Sequence, residues 1–169
     1  MDNDKKLVVF YSLQGNTRFI AEEIKKNIGC DLLEIKLKKN IKSKGFMKYL
    51  IGGIQAITNK KPELLPYEIN LDDYKTIIIG TPIWAGHFSP AINSFLSENE
   101  IRNKNIAAYC CFAGSGSGKA FKILKEILQD DNTFIGELEI QDPLKTDKDG
   151  VSLKVNKWLD KIMNKSVSA

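Results

Sequence analysis

Short apolar runs alternate with amphipathic stretches five times along this chain of 169 residues. The apolar runs are predicted to be strands and lie at 7–11, 32–37, 76–80, 106–112 and 134–140. The stretches between and after them are predicted to be helices and lie at 17–28, 46–57, 90–96, 117–128 and 150–163. The alternation predicts an α/β fold, a five-stranded parallel sheet with helices on both faces. The length fits one domain over residues 1–169.

Open parallel sheets bind ligands beyond the carboxyl ends of their strands, where the strand order reverses. Three loops are expected at that edge, at 12–17, 81–88 and 113–117. Each of them follows a strand that is predicted to be buried. We therefore expect the three loops to form one binding site.

The first loop connects a strand directly to a helix and contains a single glycine. It consists of Ser12, Leu13, Gln14, Gly15, Asn16 and Thr17. The first N–H groups of a helix lack intrahelical partners, and the hydroxyl and amide side chains here add neutral donors, so the loop is predicted to bind a phosphate. The loop has no lysine, and the chain contains neither a complete P-loop sequence nor a complete Gly-x-Gly-x-x-Gly sequence.

The second and third loops can supply the rest of such a site. The candidate residues of the second loop are Pro82, Ile83, Trp84, Ala85, Gly86 and His87. Trp84 lies outside every periodic apolar stripe, and it would either stack on a planar ring or cap the core. The candidate residues of the third loop are Ala113, Gly114, Ser115 and Gly116. Their backbone can hydrogen-bond a ligand edge, or the loop is a plain strand-to-helix connection.

A phosphate loop, an aromatic platform and a backbone-lined edge together describe a pocket for flavin mononucleotide (FMN). The segment 12–17 resembles the phosphate loop of the flavodoxin family, Thr/Ser-x-Thr-Gly-x-Thr, with Gln14 in place of the middle hydroxyl residue. The segment 80–86, Gly-Thr-Pro-Ile-Trp-Ala-Gly, resembles the loop that flanks the isoalloxazine ring in a bacterial branch of that family.

The resemblance implies a flavodoxin-like three-layer sandwich with strand order 2-1-3-4-5. It implies that backbone N–H groups at 13–17 hold the FMN phosphate and that Trp84 lies against the ring. It further implies that the peptide near Gly86 rotates when the flavin nitrogen N5 gains a proton. His87, the only histidine, can change charge beside the ring near neutral pH, or it faces solvent.

The first hypothesis is an electron carrier that exchanges single electrons with redox partner proteins through non-covalently bound FMN. Two alternatives stay open: an FMN-dependent quinone reductase that uses NADH or NADPH, and a module of the same fold that binds phosphate-bearing ligands without redox chemistry. The sequence contains no nicotinamide fingerprint, which favours the carrier over the reductase.

Composition limits the other partners and the compartment. Arginine is scarce, so nucleic-acid binding is not expected, and the lysines clustered at 36–61 are expected to form a solvated face. No apolar run approaches the roughly 18 residues of a membrane-spanning helix, so membrane insertion is not expected. Three cysteines, Cys30, Cys110 and Cys111, cannot all pair internally, which favours reduced thiols in a cytoplasmic protein. The electron donor, the electron acceptor and the oligomeric state are left open.

Overall fold

Strands form where the sequence has its apolar runs, and five of them lie parallel. The computed structural model describes residues 4–39, 54, 60–114 and 116–167. Its strands are β1 (Lys6–Phe10), β2 (Asp31–Glu34), β3 (Thr76–Trp84), β4 (His87–Phe88), β5 (Asn105–Phe112) and β6 (Thr133–Gln141). The parallel strands run in the order β2-β1-β3-β5-β6, and the short β4 pairs antiparallel with β3. Counted without β4, this is the predicted order 2-1-3-4-5, so the fold prediction is confirmed.

Helices cover both faces of the sheet, as the alternation predicted. They are α1 (Asn16–Ile28), α2 (Pro90–Glu98), α3 (Ala120–Leu128) and α4 (Lys148–Val167). The predicted helix at 46–57 lies outside the described residues, except Ile54, which is helical. None of the helices in the described ranges is long and apolar enough to cross a membrane.

Alternate residues of each buried strand pack into two separate cores. Leu7, Val9 and Ile77 point to the core that contains the buried faces of α2 and α3. Val8 and Ile78 point to the other core, which contains the buried faces of α1 and α4. Successive side chains of a strand point to opposite faces, so a strand covered on both sides must be apolar throughout.

Element boundaries differ from the predictions where tertiary pairing intervenes. Strand β2 ends at Glu34 rather than at residue 37, because β1 ends at Phe10 and leaves the later residues without that partner. Leu37 instead forms an antiparallel bridge with Leu64. Helix α3 begins at Ala120 rather than at residue 117, because Gly116 and Gly118 have positive φ angles that a helix does not allow.

The predicted loop at 81–88 is a β-hairpin. Strand β3 extends to Trp84 because Thr81 and Pro82 continue the parallel ladder to β5 while Ile83 and Trp84 pair with β4. Ala85 and Gly86 form the two-residue turn, with φ angles of 50° and 75°. Two positive φ angles are what a type I′ hairpin turn requires. An Asn-Gly pair would have indicated this turn from the sequence, whereas Ala-Gly does not.

Tyr109 on β5 fixes the position of α1 relative to the sheet. Its side chain is fully buried, and its ring lies across Gly80 of β3, where an added Cβ would stand 2.2 Å from ring atom Cζ. Its hydroxyl donates a hydrogen bond of 2.9 Å to the backbone carbonyl of Thr17, in the first turn of α1. Because Gly80 has no side chain, Tyr109 of β5 can reach across β3 to α1, the helix that follows the first loop.

Substituting Gly80→Ala is expected to destabilise the protein by about 3 kcal/mol, because the new methyl group has to displace the Tyr109 ring. Gly114→Ala is the matched control, since an added Cβ there meets no atom within 4 Å and φ is not positive. That control is expected to stay within about 0.5 kcal/mol of wild type. Urea unfolding followed by far-UV circular dichroism measures both, and equal costs would contradict the role given to the Tyr109 ring.

Candidate functional site

A cavity opens at the carboxyl ends of the parallel strands, where the sequence predicted a site. It encloses about 180 Å³, compared with about 15 Å³ for one water molecule on the same measure, so it can admit part of an organic ligand. The lining residues are Ser12, Leu13, Gln14, Asn16, Thr17, Pro82, Ile83, Trp84, Cys111, Phe112, Ala113, Gly114, Asp142 and Lys145. All three predicted loops therefore contribute to one cavity.

Some candidate residues lie beside the cavity rather than on its wall. The residues that do not line it are Gly15, Ala85, Gly86, His87 and Gly116. Ser115 lies outside the described residues. Sequence reasoning missed Asp142 and Lys145, which follow β6. The available signal was that the fifth parallel strand ends at the same edge, so its loop belongs to the site as well.

The first loop is shaped by the Ser12 hydroxyl. Its Oγ accepts hydrogen bonds from the N–H groups of Gly15, at 3.1 Å, and Arg18, at 3.2 Å. Gly15 precedes α1 with φ at 93°, a conformation that favours glycine. These bonds fold the chain tightly around the start of the helix.

Four N–H groups of the first loop keep their hydrogen-bonding capacity. Within the described ranges, the N–H groups of Leu13, Gln14, Asn16 and Thr17 donate no hydrogen bond. The α1 dipole adds partial positive charge at the same point. Clustered donors without partners at a helix N-terminus fit a phosphate group. The Gly15 N–H, which the resemblance also assigned to the phosphate, is bonded to Ser12 in this structure.

Arg18 stands in the first turn of α1, but its charge is paired with the carboxylate of Glu34. Its guanidinium donates two hydrogen bonds to the carboxylate of Glu34, one of them from Nε to Oε2 at 3.3 Å. The hydrogen bond and the charge of Glu34 raise the pKa of Arg18 further above its ordinary value. The first loop therefore carries no unpaired side-chain charge.

Trp84 ends β3 and belongs both to the core and to the cavity wall. It is 5% exposed and packs edge-on against Tyr11, with ring centroids 5.8 Å apart and an interplanar angle of 86°. The structure thus shows the core-capping role that the sequence left open. A ligand in the cavity would contact the same side chain.

Both carbonyl groups of the hairpin turn are hydrogen-bonded. The Ala85 carbonyl lies 2.9 Å from Nδ1 of His87, and because a carbonyl only accepts, Nδ1 carries the proton in that bond. The Gly86 carbonyl accepts from the Lys119 N–H at 2.7 Å. The peptide rotation that the resemblance implied near Gly86 would have to break one of these bonds.

The third loop packs directly on the hairpin. A Cβ at Gly118, where φ is 56°, would stand 2.5 Å from the Gly86 Cα. The Ser117 N–H donates to the Glu139 carboxylate of β6 at 3.1 Å. These contacts are made by Ser117 and Gly118, at and just after the end of the loop. Ala113 and Gly114, at its start, line the cavity.

The two cysteine thiols of β5, Cys110 and Cys111, are poor nucleophiles at neutral pH. Burial raises the pKa of Cys111, which lines the cavity, to about 12, and a hydrogen bond with Thr17 opposes part of that rise. Burial also raises the pKa of Cys110, with a contribution from Glu139. Both thiols are therefore protonated at neutral pH, where the protonated form is a poor nucleophile.

Comparison with known proteins identifies relatives of the whole chain. The sequence profile of the flavodoxin family matches residues 5–162. No curated protein matches the sequence significantly.

Several solved structures share the fold. A flavoprotein from Lactobacillus acidophilus NCFM, solved in complex with FMN, is 26% identical with a TM-score of 0.69, over 92% of this chain and 98% of that one. The apo form of the flavoprotein from that organism, solved by NMR, is 23% identical with a TM-score of 0.65, over 85% of this chain and 96% of that one. A protein from Bacteroides eggerthii DSM 20697 is 23% identical with a TM-score of 0.75, over 94% of this chain and 98% of that one.

Substituting Gly118→Ala is expected to cost about 3 kcal/mol, because the methyl group both forces a positive φ on alanine and collides with Gly86. Gly29→Ala is the matched control. Its φ is 61°, yet an added Cβ meets nothing within 4 Å, so only the backbone cost of about 1 kcal/mol is expected. Denaturant unfolding of the two variants separates these costs, and similar losses would show that the hairpin and the third loop do not depend on close contact.

The free energy of unfolding is expected to fall as pH rises above 9. The folded-state pKa of Cys111 is about 12 and its ordinary value is 9.0, so the unfolded state loses the proton first. The stabilisation is complete below pH 9 and is lost as pH rises towards 12, by about 1 kcal/mol between pH 8 and pH 10 for this thiol. Cys111→Ala should lose that much less over the same interval in urea titrations. Identical losses in both proteins would contradict the assignment.

Proposed function

The chain belongs to the flavodoxin family, and from that premise we propose that it binds FMN non-covalently and carries electrons between redox partner proteins. One observation supports this most: the four described residues of the first loop whose N–H groups donate no hydrogen bond line a single cavity together with Trp84, Ala113 and Gly114. Phosphate donors and an aromatic side chain at one cavity match the two ends of a phosphorylated flavin.

The residues present fit FMN better than a bare phosphate ligand. The N–H groups of Leu13, Gln14, Asn16 and Thr17 would hold the phosphate, and Trp84 with Ala113 and Gly114 would border the ring. FMN supplies the electron-accepting ring, a chemistry that protein side chains do not provide. A flavoprotein of the same fold that is 26% identical to this chain was solved with FMN, which supports the same ligand here.

The chain's own residues would orient the flavin and keep water away from it. The bonds to the Ala85 and Gly86 carbonyls hold the turn that follows Trp84, and would limit movement of that part of the cavity wall. Protonated Cys111 would lie beside the ligand without attacking it. The carrier role rests on the absence of a nicotinamide fingerprint from the sequence, and a cytoplasmic location rests on three free, buried cysteines.

Flavin binding is tested with the purified protein freed of any bound flavin. Added FMN is expected to be taken up with a Kd below about 1 µM and to have its fluorescence quenched. Trp84→Phe should change the visible spectrum or raise the Kd. Trp158→Phe is the matched control, because Trp158 is equally buried, at 6% exposure, but lies in the opposite core. A protein that refuses FMN would contradict the proposal and favour a non-redox binding module.

The carrier role is tested by steady-state assays with NADH or NADPH and a quinone. Turnover is expected to be negligible, while electrons should pass to and from one-electron redox proteins. Brisk turnover with either nicotinamide would instead establish the reductase.

A further inference from the structure

The turn that follows β6 is attached to the first loop. The Leu144 N–H donates a hydrogen bond of 3.2 Å to the side-chain oxygen of Asn16. The Leu144 side chain also reaches Gly15, where an added Cβ would stand 3.5 Å from its Cδ1. The turn and the start of α1 therefore form one wall, although 128 positions separate Asn16 from Leu144.

The turn has a defined shape of its own. The Thr146 hydroxyl shares its one proton between the Gln141 and Asp142 carbonyls, at 3.1 and 3.0 Å, and the Lys145 N–H donates to the Asp142 carbonyl at 2.8 Å. Asp142 has a φ of 37°, in the region that aspartate and asparagine tolerate better than most residues. These bonds fix where the Lys145 side chain starts, at the cavity edge.

Lys145 is the cation available at this cavity. Among the described residues, no other lysine or arginine lines it, and Arg18 nearby is held by Glu34. The Lys145 ammonium lies 3.8 Å from Asp142 Oδ2, and its side chain is 78% exposed. An exposed pair at that distance contributes little, so little is lost when Lys145 leaves Asp142 for a stronger anion.

We propose that Lys145 pairs with the phosphate of the bound ligand and makes the site select phosphorylated over unphosphorylated flavin. The inference rests on the proposed function. The first loop offers only neutral donors, which leaves the dianionic charge of a phosphate monoester uncompensated. Lys145 supplies part of that charge from the turn after β6, and the negative charge of the neighbouring Asp142 weakens the attraction to the phosphate.

The experiment measures the Kd of FMN and of riboflavin by fluorescence titration, for wild type, Lys145→Gln and Asp142→Asn, at low and high salt. Lys161→Gln is the matched control, since Lys161 is exposed on α4 beside the start of β6. Lys145→Gln is expected to raise the Kd of FMN roughly fivefold at low salt and less at 1 M salt, where screening is strong. Asp142→Asn should lower the Kd of FMN about twofold. Riboflavin binding should be unchanged in all variants, and Lys161→Gln should match wild type for both ligands.

The results distinguish a failure of the proposed function from a failure of the Lys145 inference alone. A wild-type protein that binds neither flavin contradicts the proposed function and this inference with it. If wild type binds FMN and Lys145→Gln binds it equally well, the inference alone is wrong. A Lys145→Gln variant that loses FMN and riboflavin equally would also overturn it, because the lysine would then support the ring or the fold rather than the phosphate. Circular dichroism confirms that each variant is folded.

Discussion

A buried contact among Tyr109, Gly80 and Thr17 fixes the position of α1 and the first loop relative to β5. Tyr109 spans the width of β3 because Gly80 has no side chain, and its hydroxyl bonds to the carbonyl of the first turn of α1. A fully buried hydroxyl needs a partner, so this geometry is favoured over any displacement of α1. The first loop, which precedes α1, is thereby tied to β5, whose last residues Cys111 and Phe112 line the cavity.

The remaining loops are tied together by single hydrogen bonds, each donated by a backbone N–H group. The hairpin turn bonds to Lys119, the third loop bonds to Glu139, and the turn after β6 bonds to Asn16. Each bond joins segments that belong to different strands. The cavity is therefore preorganised, which lowers the conformational entropy that the loops must lose when a ligand binds. The bond from the Lys119 N–H to the Gly86 carbonyl also opposes the backbone rotation that the family resemblance implied at the hairpin.

The charged groups near the cavity come from separate segments of the chain. The first loop provides donors without a cation, Arg18 is neutralised by Glu34, and Lys145 comes from a turn far along the chain. In the proposed FMN site, phosphate recognition and charge compensation would be functions of separate segments. A substitution could then change the charge compensation without changing the phosphate donors, because the donors are backbone groups and the cation is an exposed side chain.

The sequence by itself determined the order of elements, the parallel sheet and three of the loops that line the cavity. Apolar periodicity records which faces are buried, and parallel strands must end at the same edge, so both follow from local pattern and one topological rule. Other features depended on contacts between distant segments. The Ala85–Gly86 turn lacks the usual hairpin signal, and Tyr109 carries no mark of its bond to Thr17. Lys145 belongs to no motif. Only the tertiary structure placed these residues, because their roles arise from where strand ends meet and not from the residues beside them.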